Sequence, residues 1–504
     1  MGLYIPDEIL QHIMRYFLSK EPRRLSSLKY PYDDVGFDPS LRPTDLHSLC
    51  LVSRRFCDIA QPLLYHTINV TYETIDATVK GHQREWPGCL LRTMAENPHL
   101  AKQIRVLAIQ SYTPGAVWST DFPWDVPQSL RCVLKDAIQR PDPHAVSLAI
   151  LFYATMVERI ILSSNDPDGL HIFWVISSWL PYGNPSYDCA EISSNLTPEL
   201  GPFANHGHPR LKEICLDGFY DDCHPLDRVF VDIMKKPGLF TLCTNGGWWS
   251  PNFFNPPKLP AGVLSDDWPS SLKVLKLENC VLDGYGFAYI LQNCPRLNIL
   301  KINLAKSKWI RQDGFSWTLD LDQIGQTLRD HGSNLTHLSF HTFNFKLSLE
   351  PIGRIGSLCA MTSLRHLRFS RNDLIVSQEW VELQKQSILS LESILPSSII
   401  TVRISYEEAS TARSPPSSLV FTEIESLLAS ERLRSLERVE VIRYIHDSPD
   451  ELVLFRTEIP HWSVGSRRKP SKSQDGVDEY MSITRFRGSK SDSFNNFGGS
   501  RSES

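Results

Sequence analysis

The 504-residue chain has no CxxC pair, although it contains 11 cysteines scattered along its length. Closely spaced cysteines are the usual sequence mark of structural zinc sites, of redox centres and of small disulfide-stapled secreted domains. Their absence favours reduced thiols and predicts an intracellular protein, cytoplasmic or nuclear.

Long apolar segments are also missing. The most apolar run, residues 145–157, is about 13 residues long and is closed by two charged residues, which is too short to cross a bilayer. We predict a buried helix there. The start of the chain includes Asp7 and Glu8, where a secretory signal would need an uninterrupted apolar stretch. The sequence therefore predicts neither membrane association nor secretion.

The chain lacks a strong net charge and recognisable catalytic motifs. Its formal charge of -5 is small for this length, so no overall attraction to nucleic acid or to an anionic membrane is expected. There is no GxSxG, P-loop, HExxH or GxGxxG sequence. We therefore predict that the protein is not an enzyme and needs no cofactor.

One short segment concentrates metal-ligating side chains: His206, His208, Cys215, Cys223 and His224. The apolar residues in its middle have the spacing of a strand, and an adjacent Cys and His are awkward ligands for one tetrahedral ion. We weigh a zinc site here and predict none. Cys280 is interpreted as a structural core residue.

The N-terminal part of the chain, up to about position 70, has helical patterns. Pro6 at a first helical position, followed by Asp7 and Glu8, is a strong start signal, and apolar residues follow at helical spacing: Ile9, Leu10, Ile13, Met14 and Phe17. A polar loop is predicted over residues 19–43. Thr44 or Asp45 then caps a second helix that continues until Pro62 interrupts it.

This second helix has apolar residues on two faces. One line holds Leu49, Val52, Phe56, Ile59 and Leu63, and another holds Leu46, Cys50 and Cys57. A helix that packs only within its own domain needs one apolar face. The second face therefore indicates contact with another chain, whereas the alternative assigns both faces to the core of a small helical domain.

Beyond a predicted strand at residues 66–72, a short pattern repeats: an apolar residue followed by others three and five positions later. LKVLKLENCVL, from Leu272, fits the full leucine-rich template. Looser copies begin at eight more positions: Ile104, Val157, Leu211, Leu297, Leu335, Leu364, Ile399 and Leu436. Helical segments lie between several copies. Stacked strand–helix units bury one continuous core, so we predict an αβ solenoid, resembling leucine-rich repeats, with a parallel sheet.

These patterns divide the chain into three parts. We predict a helical domain over residues 1–70, the solenoid over 71–463, and a disordered tail over 464–504, which is rich in Ser and Gly and poor in apolar residues. The fold class is α/β, with its least regular repeats in the first half.

The N-terminal segments IPDEILQHIM and DLHSLCLVSRRFCDIAQPLLY resemble the F-box. The resemblance covers residues 4–65, and the loop between the first two helices is longer than in compact F-boxes. It implies a substrate receptor of an SCF-type cullin-RING ubiquitin ligase, whose F-box binds a Skp-type adaptor and through it a cullin, while the repeats bind a protein substrate. The matching positions are Pro6, Ile9, Leu10, Ile13, Leu49, Val52, Phe56 and Leu63. The alternative is a repeat scaffold that acts independently of ubiquitin.

Two insertions between repeats are rich in aromatic residues. They lie at residues 117–127 and 238–260 and contain Trp118, Trp124, Trp248, Trp249, Phe253 and Phe254. Aromatic side chains on loops are effective recognition elements, so these six are candidates for substrate binding. The alternative, which we favour, is that they fold back onto the irregular first half of the solenoid.

Overall fold

A computed structural model describes most of the regular elements of the chain. The described residues are 6–16, 43–72, 86–111, 150–151, 153–164, 208–219, 233–234, 236, 238–249, 270–305, 319–342, 351–375, 390–406, 417–445, 462–470 and 477–485. The predicted loop 19–43 lies outside them, except for Pro43.

The chain divides into two compact units. The first spans residues 1–319 with 348–350, and the second spans 320–347 with 351–504. Each unit is α/β and contains parallel strands, as the sequence predicts. The first unit contains both the predicted helical domain and the first strand–helix repeats.

The first unit begins with three helices and continues with strands and further helices. Its helices are α1 (Asp7–Tyr16), α2 (Pro43–Val52), α3 (Arg54–Leu64), α4 (Trp86–Glu96), α5 (Pro98–Ala101) and α6 (Gly284–Asn293). Its strands are β1 (Thr67–Tyr72), β2 (Val106–Ser111), β3 (Arg159–Ser164), β4 (Glu213–Phe219), β5 (Thr241–Gly246), β6 (Trp248–Trp249), β7 (Val274–Leu282) and β8 (Ile299–Leu304).

The strands of the first unit form a parallel sheet in the order β1-β2-β3-β4-β5-β7-β8, and β6 pairs with β7. Equivalent repeat positions stand side by side: Leu107 pairs with Ile160, and Ile160 with Ile214. Because alternate residues of a strand point to opposite faces, one face of this sheet receives all the apolar template residues. Leu272, Leu275 and Leu277 are completely buried there.

The structure contains a strand that the sequence pattern missed. Residues 241–246 form β5 between β4 and β7, within the segment interpreted as an aromatic insertion. Its repeat begins at Leu239 and carries Leu242 and then Thr244 at the third apolar position, where the polar hydroxyl group hid the pattern. Thr244 is nevertheless buried. This strand divides the long interval between the repeats at Leu211 and Leu272 into two intervals that resemble those of the later repeats.

The second unit continues the same alternation. Its helices are α7 (Leu321–His331), α8 (Arg371–Leu374), α9 (Leu391–Ile394) and α10 (Ser417–Ala429), with a 3₁₀ turn at Glu431–Leu433. Its strands are β9 (His337–His341), β10 (His366–Ser370), β11 (Thr401–Tyr406), β12 (Arg438–Ile445), β13 (Trp462–Pro470) and β14 (Val477–Arg485). The strands β9, β10, β11 and β12 are parallel neighbours in that order. All nine predicted repeat strands are thus confirmed, each beginning two residues after the predicted repeat start.

A largely buried ion pair lies in the second unit, with side chains 10% and 13% exposed. Arg371 donates to both carboxylate oxygens of Glu423, from Nε at 3.0 Å to Oε2 and from Nη2 at 3.2 Å to Oε1. The Tyr406 hydroxyl donates to the same carboxylate at 3.0 Å. Burial, and then the charge of Glu423, raise the pKa of Tyr406 well above its usual range, so the phenol stays protonated. The pair joins α8 and α10 through charge-assisted hydrogen bonds.

The end of the second unit corrects the prediction of a disordered tail. The strands β13 and β14 pair antiparallel, and β14 pairs antiparallel with β12. In this register Met481 stands opposite Val441, and Ile483 stands opposite Val439. The prediction of disorder relied on composition averaged over the whole segment 464–504, which concealed the apolar residues Val477, Met481 and Ile483 on one face of β14. The rest of the predicted tail lies outside the described residues.

Candidate partner-binding surfaces

The helix α1 separates its apolar residues into two groups. Its first turn begins at Pro6, whose carbonyl oxygen accepts hydrogen bonds from the backbone N–H groups of Ile9 and Leu10, both at 3.1 Å. Leu10 and Met14 are buried, four residues apart on one face. Ile9 and Ile13, also four residues apart, are exposed, with 51% and 44% of their surfaces accessible. The helix therefore has an apolar face beyond the one that it buries.

The predicted second helix is two helices in the structure. The helix is interrupted at Ser53, whose backbone is extended (φ -163°, ψ 161°). The Ser53 hydroxyl oxygen accepts a hydrogen bond from the Phe56 backbone N–H at 3.2 Å. Serine is a preferred N-cap because it satisfies a free N–H in the first turn. Pro62 lies inside α3 and does not end it, and α2 begins at Pro43 rather than after a cap at residue 44 or 45.

Because of this interruption, residues from both apolar lines of the predicted helix contribute to one core. The core of the three helices consists of Met14, Leu46, Ala60 and Leu63, with Leu49, Cys50, Phe56, Ile59 and Leu64 packed partly buried against it. Residues from both predicted faces are therefore in one core. A single straight helix could not direct both apolar lines toward the same core. Two helices joined at Ser53 can, because each helix has its own axis.

The apolar residues that remain exposed define the candidate partner surface of the three-helix unit. They are Ile9 and Ile13 on α1, and Leu51 and Val52 at the end of α2, the latter two 75% and 65% exposed. In the described part of the chain seven large apolar residues are exposed, and four of them belong to these short helices. This concentration of exposed apolar residues makes the short helices a candidate for contact with another molecule.

An ion pair joins α1 to α3 beside this surface. Nε and Nη2 of Arg55 lie 2.7 Å and 2.6 Å from the same carboxylate oxygen of Asp7. Both side chains are more than a third exposed, so the pair contributes about 1 kcal/mol or less to stability. Its main effect is to orient the first turn of α1, which carries Ile9.

The eight predicted adaptor contacts are distributed over three environments. Pro6, Ile9, Ile13 and Val52 are exposed and available to a partner. Leu49 and Phe56 are partly buried against the core, and Leu10 and Leu63 are buried. The sequence prediction missed Leu51, the most exposed large apolar residue of the described chain. Leu51 lies on neither apolar line of the predicted helix. An apolar residue outside both lines could have been recognised from sequence as one that the helix leaves exposed.

Of the six aromatic candidates for substrate binding, Trp118, Trp124, Phe253 and Phe254 lie outside the described residues. Trp248 and Trp249 form β6, in parallel register with Val281 and Leu282 of β7. The carbonyl oxygen of Gly247 accepts a hydrogen bond from the Val281 backbone N–H at 3.0 Å. The backbone at these two tryptophans therefore belongs to a strand rather than to the predicted loop.

A second candidate surface is the outer face of the sheet in the second unit, opposite the apolar face. The His337 and His366 rings stack with centroids 4.1 Å apart. Nearby, Nη2 of Arg368 and Nε2 of His341 are 3.1 Å apart, and Arg438 pairs with Glu440 at 2.5 Å. Burial, and then the charge of Arg365, lower the pKa of His366, which favours the neutral ring at pH 7. This face is polar and rich in arginine and histidine.

The metal-ligating segment considered from sequence is described only in part. His206, Cys223 and His224 lie outside the described residues. His208 is buried at the turn before β4, and Cys215 is buried on β4. Cys280, as predicted, is a core residue, and burial raises the pKa of its thiol above the usual range.

Comparison with protein-family models finds no matching family, and comparison with the curated proteins finds no significant match. The F-box resemblance therefore stays a prediction from the quoted motifs. Among the described residues, no helix combines the length and apolar character needed to span a bilayer.

Proposed function

We propose that the chain is a non-catalytic substrate receptor of an SCF-type cullin-RING ubiquitin ligase. In this proposal the three-helix unit binds a Skp-type adaptor, and through it a cullin, while the strand–helix repeats bind the protein substrate. The observation that carries the proposal is the group of exposed apolar residues, Ile9, Ile13, Leu51 and Val52, on helices whose core is supplied by other side chains.

The energetics are consistent with a binding site of this size. Burying one fully exposed large apolar side chain contributes about 1.5–3 kcal/mol, so these four, which are 44–75% exposed, contribute roughly 3.5–7 kcal/mol. Association costs on the order of 4–15 kcal/mol in lost freedom of motion. Four anchors therefore lie near the minimum for a stable complex, and partly buried neighbours such as Leu49 and Phe56 would supply the rest.

The outer face of β9–β12 supports the substrate half of the proposal. Its arginine and histidine side chains, including Arg368, Arg403 and His337, occupy neighbouring positions on the sheet. Arginine is enriched among the residues that dominate protein–protein binding energy. A rigid sheet also holds such side chains at fixed spacing, which lowers the entropy cost of binding.

The direct test is binding of the purified full-length chain to a purified Skp-type adaptor, measured by calorimetry. Ile9→Ala is expected to weaken the complex by about 2 kcal/mol or more, roughly thirtyfold in Kd. The matched control is Ile352→Ala, which removes an isoleucine of similar exposure, 55%, from the second unit and should leave the Kd unchanged. Failure of the unsubstituted chain to bind any adaptor at micromolar concentration contradicts the proposal.

Leu63→Ala serves as a second comparison. Because Leu63 is in the helical core, its truncation is expected to lower the thermal stability of the helices together with adaptor affinity. Ile9→Ala should lower the affinity alone. Equal loss of stability in both variants would mean that Ile9 acts through folding rather than through contact.

Affinity purification from cells separates this proposal from the ubiquitin-independent scaffold. Deleting residues 1–64, which removes the three helices and leaves β1 in place, should remove the adaptor and cullin from the purified complex and leave substrates bound to the repeats. Co-purification of the same partners with and without residues 1–64, and without adaptor in either case, would favour the scaffold.

A further inference from the structure

Two neighbouring strands of the first unit bring three metal-ligating side chains together on the outer face of the sheet. Glu213 and Cys215 are two residues apart on β4, so they share a face. Cys243 on β5 is the register partner of Cys215. One carboxylate oxygen and the two sulfur atoms all lie within 4.8 Å of one another. Among the described residues this is the only such group of three His, Cys, Asp or Glu side chains.

We propose that Glu213, Cys215 and Cys243 bind one zinc ion. Two sulfur ligands select zinc over magnesium, calcium or manganese, which prefer oxygen. Zinc is commonly four-coordinate; structural sites have four protein ligands, and sites with three protein ligands bind water or another ligand at the fourth position. Cys215 is buried, whereas Glu213 and Cys243 are only partly buried.

The surrounding charges suit such a site. Two thiolates and a carboxylate carry three negative charges, and zinc offsets two of them. Arg159 on β3 supplies a further positive charge, with Nη2 3.4 Å from the Glu213 carboxylate and 3.9 Å from the Cys215 sulfur. A partner of this kind orients the ligand from the second layer of the site. Lys276 on β7 is the register partner of Cys243 on the other side.

The two sulfur atoms already interact without metal. The Cys215 thiol donates a hydrogen bond to a carboxylate oxygen of Glu213 at 3.4 Å, and contact between the two sulfur atoms is the first cause that lowers the pKa of Cys243 and raises that of Cys215. Lys276 and Arg159 add positive charge that lowers the Cys243 pKa further.

Zinc binding is a proton exchange with no change of oxidation state. Bonds form from zinc to two sulfur atoms and one carboxylate oxygen, and the S–H protons of the two cysteines pass to solvent. Because the ligating forms are deprotonated, affinity is expected to rise with pH. The neighbouring strands hold Cys215 and Cys243 side by side before the metal arrives.

The test uses the reduced full-length chain and Co²⁺ as a spectroscopic probe. Titration should produce sulfur-to-cobalt charge-transfer absorption and the visible bands of tetrahedral cobalt, and added Zn²⁺ should abolish both. The double variant Cys215→Ala/Cys243→Ala should lose these bands and one equivalent of bound metal. Glu213→Gln should keep sulfur ligation but bind more weakly. Cys359→Ala, which removes an exposed cysteine of the second unit, is the control and should match the unsubstituted chain.

Equal cobalt spectra and stoichiometry in the unsubstituted chain and in a folded double variant would overturn the proposal. A disulfide between Cys215 and Cys243 in protein kept under reductant would overturn it too. If the double variant does not fold, Glu213→Gln decides the question, since its side chain is partly exposed and its loss leaves the core intact. An unchanged cobalt affinity in that variant rejects the three-ligand site.

Discussion

The three-helix unit and the strand–helix repeats differ in how completely they bury their apolar side chains. In the nine predicted repeats, every residue at the three apolar template positions is at most 4% exposed. In the short helices, Ile9, Ile13, Leu51 and Val52 are each exposed, the least of them at 44%. A sheet face buries whole rows of side chains at once, whereas three helices of about three turns share too little surface to bury all of theirs. The apolar pattern therefore predicts burial reliably in the repeats, whereas in the helices only the structure separates buried from exposed positions.

The largest effect is expected from the buried ion pair of the second unit. Glu423→Ala leaves the Arg371 guanidinium buried without its carboxylate and should cost roughly 3–5 kcal/mol of unfolding free energy. Urea denaturation followed by circular dichroism measures this. Glu425→Ala, on the same helix but exposed, is the matched control and should change stability by less than about 0.5 kcal/mol. Similar values for both variants would show that the pair does not support the fold.

The next effect tests the comparison between the two regions directly. Leu275→Ala, at a fully buried template position, is expected to cost about 2–5 kcal/mol through lost burial and a residual cavity. Leu51→Ala, the same change at a 75% exposed position, should cost less than about 0.5 kcal/mol. Chemical denaturation of both variants measures the difference. A large loss at Leu51 without any partner present would mean that the helices bury it within the chain.

The smallest of the three effects concerns the break between α2 and α3. Ser53→Ala removes the N-cap hydrogen bond to Phe56 and should lower the stability of the helical unit by about 1 kcal/mol. Ser53→Asp keeps an acceptor at the cap and should retain most of the stability. Thermal unfolding of the two variants measures this difference. Equal thermal stability of the alanine and aspartate variants would show that the interruption between α2 and α3 does not depend on the cap hydrogen bond.

The repeat strands could be predicted from sequence because their signal is local. An apolar residue with others three and five positions later reports directly on burial, and all nine predicted strands are found. The same criterion failed at β5, where Thr244 is buried but polar. Apolar spacing also failed to predict the interruption at Ser53. The segments on both sides of Ser53 have continuous helical periodicity, and the two helices are distinguished by the cap hydrogen bond rather than by that periodicity.

The candidate sites could be predicted less well, because they depend on contacts between distant residues. Leu10 and Leu63 have the same apolar character as Ile9, and only the packing of three helices separates core from surface. Cys215 and Cys243 are far apart in the sequence, and their neighbouring positions follow from the insertion of β5 beside β4. No spacing rule for metal ligands includes such a pair, since the sheet register rather than a turn brings them together.

The antiparallel hairpin β13–β14 has a consequence for association between molecules. Among the described residues, β13 is paired on one side only, by β14. A free strand edge is a template for fibre-like growth, and proteins blunt such edges with charge and proline. β13 ends in Arg467, Arg468, Lys469 and Pro470. Like charges on identical edges repel each other, and proline has no N–H to donate to a neighbouring strand, so the sequence of β13 disfavours edge-to-edge association of two molecules.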